Sequence, residues 1–85
     1  MSNPIQDGLR VKQWMEDDLF KGVLKTVAAN IYDEFRKADS SEKRVTAWAK
    51  ANALEAILVE MNAVIENGEA AKIEADKQSR KPKEF

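Results

Sequence analysis

The sequence predicts an all-α fold, an antiparallel helical hairpin with a short N-terminal lead-in helix, completed by oligomerisation into a helical bundle. Three observations carry that expectation. Helix breakers are scarce: the 85 residues hold prolines only at Pro4 and Pro82, and glycines only at Gly8, Gly22 and Gly68. The interior is rich in the good helix formers Ala, Leu, Glu and Lys, and the β-branched alternation that marks strands is missing. Apolar residues instead recur at steps of three and four, the period of one helical face.

Residues 1–16 read as a lead-in arm or short helix. Asn3 is placed to cap, Pro4 suits the first helical position, and Gln6 stands where a capping-box partner belongs. Gly8 weakens the segment, which leaves a short helix and a mobile arm both open. Ile5, Leu9 and Trp14 are the side chains available to pack back onto the rest of the chain.

Residues 17–68 read as the hairpin. The first long helix starts near Asp17 or Asp18, where Glu16, Asp17 and Asp18 meet the positive end of the helix dipole. Phe20, Val23, Leu24, Val27, Ile31 and Phe35 then form its apolar face, with Lys21, Lys25, Asp33 and Arg36 mostly off it. Gly22 costs about 1 kcal/mol relative to Ala in an exposed helix interior, unless it admits a neighbouring helix. The bend falls at Ala38 to Ser41. There Asp39, with Glu42 three residues on, reads as an N-cap, and Ser40 is the near alternative. So short a connection turns the next helix back beside the first.

The second long helix is expected from about Ser41 to Glu66, stopped by Asn67-Gly68 as a left-handed C-cap pair. Ala47, Ala51, Leu54, Leu58, Met61 and Ile65 make a heptad seam along it. Ile57 and Val64 widen that seam, and Val45 and Trp48 add apolar area near its start. The expected self-association interface is therefore Ala47, Ala51, Leu54, Ile57, Leu58, Met61, Val64 and Ile65. Residues 69–85 read as a polar C-terminal segment whose thin apolar face (Ala70, Ala71, Ile73, Ala75) could support a short helix. A disordered basic tail follows from Lys77 onward.

A helical ribbon of two members cannot enclose a core, and a chain this short has little core to spare. With no cysteine to form a disulfide, self-association is the expected remedy, a dimer being the first guess. The alternative is a three-helix monomer closed by the lead-in. Trp14 and Trp48 fit either interface anchors or ordinary packing.

The chemistry a catalyst would need is thin. Without histidine or cysteine the usual general base, the usual nucleophile pair and the common soft metal sites are missing. A bundle di-iron centre needs Glu-x-x-His motifs, and Glu55, Glu60 and Glu66 fall off the apolar seam. The acids of Glu16-Asp17-Asp18 and of Asp33-Glu34 read as dipole caps and solvated charges rather than an acid–base pair. No glycine-rich phosphate loop is present. The expectation is a non-enzyme with no catalytic residue, cofactor or metal.

Fourteen basic and fifteen acidic residues, net charge −1, argue against general nucleic-acid binding. Lys77, Arg80, Lys81 and Lys83 are the residues that could contact phosphate, which supports a small nucleic-acid-binding accessory as an alternative. No apolar run reaches the ~20 residues of a membrane span, and the N-terminal residues show no secretory pattern. A cytoplasmic protein is expected.

One resemblance bears on context. Asp18-Leu19-Phe20, then Phe35-Arg36-Lys37-Ala38-Asp39, then Arg44, Trp48, Ala53-Leu54, Leu58 and Asn67-Gly68 follow an order of helix, polar turn and leucine-rich helix. In this, the stretch from Asp18 to Glu69 resembles short proteins of unassigned activity encoded in tailed-bacteriophage genomes, often near virion genes. The resemblance implies a phage or prophage origin and host-cell cytoplasm as the setting. It also implies a role as an assembly or adaptor factor in virion assembly or host interaction, with a phage structural protein or a host protein as partner. Inhibition of a host enzyme is a further alternative.

Overall fold

In the computed structural model, residues 3–80 are described, and they are all-helical: α1 spans Pro4–Glu16, α2 Asp18–Lys37 and α3 Ser41–Arg80. Each start follows from a short polar side chain placed to accept backbone N–H groups. The Asn3 side chain accepts from Ile5 and Gln6, ahead of Pro4. Asp17 accepts from the Phe20 N–H at 2.9 Å and donates its own N–H to the Trp14 carbonyl. It thus closes α1 and opens α2 as a one-residue joint in extended conformation.

At the bend, Ser40 rather than Asp39 caps α3. The Lys43 N–H donates to Ser40 Oγ at 3.2 Å, and the Arg44 N–H to the Ser40 carbonyl. Asp39, one residue too early for that role, pairs instead with Lys43 Nζ at 3.0 Å. The link from Ala38 to Ser40 returns α3 beside α2, where Lys50 Nζ reaches Glu34 Oε1 at 2.8 Å.

The helix stop expected at Asn67-Gly68 does not occur: α3 continues through both residues to Arg80. Gly68 has no positive φ, so it is not a left-handed cap. Its lack of a side chain serves packing instead. A Cβ on Gly68 would stand 2.7 Å from the Pro4 carbonyl oxygen and 3.0 Å from Gly8 Cα. One on Gly8 would stand 3.1 Å from Gly68 Cα and from the Val64 carbonyl oxygen. Two glycines on different helices thus let α1 and α3 cross backbone to backbone. Gly8, which weakens α1 as an isolated helix, is what allows α1 to dock. The expected disordered start at Lys77 is corrected likewise, since residues 77–80 are the last turn of α3. Residues 81–85 lie outside the described residues.

α1 packs on the middle of α3, around Ile65 to Glu69, and α2 covers its N-terminal part. Little is enclosed between them. Among the described residues only Val11 and Ala47 are buried hydrophobic side chains, and no large side chain is fully buried. The molecule is long and thin, 74 × 25 × 21 Å, with a radius of gyration of 19.3 Å. A compact domain of this length would have a radius near ~12 Å.

Candidate functional site: an apolar cleft between α2 and α3

The expected interface residues all lie on α3 but have different surroundings. Ala47 is buried against α2, while Leu54 and Leu58 are half-buried on the same side. Ala51 is exposed but lines the cleft with them. Ile57 is exposed and lines the shallower opposite edge, near Val27 and Lys50. Met61, Val64 and Ile65 are half-buried, and the last two lie in the part of α3 that α1 approaches. The heptad seam is therefore shared between two intramolecular neighbours, and its N-terminal half opens to solvent.

That opening is a cleft of about 420 Å³. Ala28, Ile31, Tyr32 and Phe35 form its α2 wall; Ala47, Trp48, Ala51, Leu54 and Leu58 form its α3 wall. Tyr32 is 69% exposed, Trp48 61% and Phe35 47%. Three aromatic rings at one opening leave apolar surface for water to cover. Sequence periodicity had placed Ile31 and Phe35 on the inner face but passed over Ala28 and Tyr32. The signal was present, since Ala28 and Tyr32 lead by steps of four and three to Phe35, which that face already holds.

One charged residue joins the lining. Glu55 stands in the α3 wall, although the spacing places it off the seam. It has no ion-pair partner among the described residues, and neither has Arg44, eleven residues earlier. No protein-family model, curated protein or solved structure matches the chain. The cleft must therefore be read from its own chemistry.

Among the described residues no group of three or more carboxylates is placed to hold a metal ion, and no polar or charged side chain is buried. The Asp33 carboxyl is held below its ordinary value, first by its hydrogen bond to Lys37; desolvation opposes this, and the hydrogen bond and charge of Arg36 add to the lowering. Lys37 Nζ approaches it at 2.9 Å and Arg36 Nη2 at 3.1 Å. This cluster clamps the last turn of α2, where cations also oppose the helix dipole.

The residues expected to touch phosphate are only partly placed. Lys77 is an exposed residue of α3 and Arg80 ends that helix, while Lys81 and Lys83 lie outside the described residues. Glu74 and Asp76 share the last turns with Lys77, so no unbroken basic face is built there. Trp14 is 49% exposed, with the Arg10 guanidinium 6.0 Å from its ring centroid. Among the described residues no helix is long and apolar enough to cross a membrane.

Proposed function

We propose that this chain is a non-enzymatic helical interaction protein that self-associates, first as a dimer, and serves as an assembly or adaptor factor. One observation carries the reading: the chain leaves its apolar residues outside. Among the described residues twelve large hydrophobic side chains are exposed while two hydrophobic residues are buried. The accessible surface is 7162 Å². A compact chain of 9.6 kDa would expose about 5,100 Å². The excess, roughly 2,000 Å² per chain, is on the scale that obligate dimers bury.

The resemblance to short phage-encoded helical proteins supplies the context of this proposal: virion assembly or host interaction, in the host cytoplasm. A phage structural protein or host protein would then bind what self-association leaves exposed.

Light scattering coupled to size exclusion tests the central claim. A dimer or higher oligomer at micromolar concentration is expected, and a strict monomer at high micromolar concentration would remove it. Leu58→Asp places a charge in the cleft wall, where desolvation is costly. The variant should lose the oligomer; retention of oligomer and fold together would exclude the cleft as the interface.

A further inference from the structure

Resting on that self-association, we infer that the occupant of the cleft is the α3 helix of a second copy, docked antiparallel about a two-fold axis between Ala49 and Lys50. The inference starts from four residues. Arg44, Trp48, Ala51 and Glu55 follow one another at steps of four, three and four, so they share one face of α3. Trp48, Ala51 and Glu55 line the cleft, and Arg44 precedes them by one turn.

An antiparallel two-fold pairing maps this row onto itself. Arg44 then faces Glu55 of the second copy, and Trp48 faces its Ala51. Each facing pair occurs twice, as an isologous interface requires. Both matches are complementary. The largest side chain in the row meets the smallest, the condition for interdigitated packing. The two charges of the row, neither of which has an ion-pair partner among the described residues, meet each other.

A parallel pairing in register does the reverse. It would set Arg44 against Arg44, Glu55 against Glu55 and Trp48 against Trp48, combining like charges with a steric excess. The antiparallel register is thus selected by charge and by volume at once. Tyr32 and Phe35, already exposed at the cleft mouth, would close over the seated helix. The total surface excess of the elongated chain is also on the scale that a stable dimer buries.

The test is a charge swap read by analytical ultracentrifugation on the full chain. Arg44→Glu or Glu55→Arg alone places two like-charge pairs across the axis and should weaken the dimer by about tenfold or more in Kd. The double variant R44E/E55R restores both pairs and should return to within about threefold of the original. Both positions altered are exposed in the monomer, and circular dichroism checks that helicity is unchanged.

A second measurement reads orientation directly. Glu60→Cys introduces the one cysteine of the chain for spin labelling. At ~1.5 Å per residue, an antiparallel dimer about this axis separates the two labelled positions by about 30 Å, whereas a parallel dimer holds them at about one helix spacing. An oligomer whose single swaps bind normally, whose double variant is not rescued, or whose labels lie close together overturns this register and leaves self-association standing. A wild-type chain that stays monomeric overturns both.

Discussion

A methyl group added at Gly22 would meet nothing within 4 Å, whereas one added at Gly68 would press on the backbone of α1. The three glycines therefore predict opposite outcomes from the same substitution. Gly22→Ala should stabilise by about 0.5–1 kcal/mol, through helix propensity and a less free unfolded chain. Gly68→Ala should destabilise by about 1–3 kcal/mol, because backbone on α1 must move to admit the methyl. Urea denaturation of the two variants checks the contrast, and Gly8→Ala should follow Gly68. A stabilised Gly68→Ala would refute the close crossing.

Asp33 offers a pH test at the same scale. Its carboxylate is favoured in the fold by Lys37 and Arg36, so its native pKa lies below the ordinary aspartate value of 3.8. A lowered native pKa means that its contribution is present above the unfolded-state value and is lost as pH falls through the native one. At neutral pH the clamp on α2 is complete; acidification below about pH 4 should release it. A carbon-detected NMR titration should place the Asp33 midpoint under 3.8, and Lys37→Met should raise it.

At the scale of the element, α3 is one helix with three environments. Its start packs on α2, its middle meets α1 at Gly68, and residues 72–79 are exposed on every side. Tertiary packing supplies most helix stability in proteins, so protection should follow cover. Hydrogen exchange is expected to be slowest from Ala47 to Ile65 and fastest from Lys72 onward. Equal protection along all of α3 would show that the C-terminal turns are covered by something else. The helix nonetheless reaches Arg80, because Glu69 to Gln78 contains no residue poorer than Asp in helix propensity. Asn67-Gly68 alone cannot stop it once α1 occupies the space a cap would need.

For the whole molecule, the long thin shape and the exposed aromatic cleft predict that stability depends on concentration. A folded state that binds its own copy gains stability by mass action, which an unfolded chain does not share. The melting temperature should rise as protein concentration is increased through the dimer dissociation constant, and should cease to do so in Leu58→Asp. An unchanged melting temperature over a hundredfold range of concentration would argue that each chain folds alone.

Local chemistry was enough to define the helices and most of their starts. Asn3-Pro4, Asp17 and the Asp39-Ser40 region carry their capping groups in adjacent residues, and the three–four spacing of Phe20 to Phe35 and of Ala47 to Ile65 is a property of the chain alone. The roles of Gly8 and Gly68 were not legible in this way. A glycine that caps and a glycine that admits a neighbour have the same local signature, and sixty residues separate the two that meet. The same holds for the cleft. The apolar row on α3 was readable, but its division between α1, α2 and open solvent depends on where each neighbour lies. Arg44 and Glu55 were legible only as surface charges until the fold left both without ion-pair partners beside the exposed Trp48 and Ala51. Sequence by itself determined the all-α class, most of the helix starts and which faces are apolar, because those follow from contacts within a few residues. Tertiary structure alone decided which apolar face stays uncovered, because that depends on packing between segments distant in the chain.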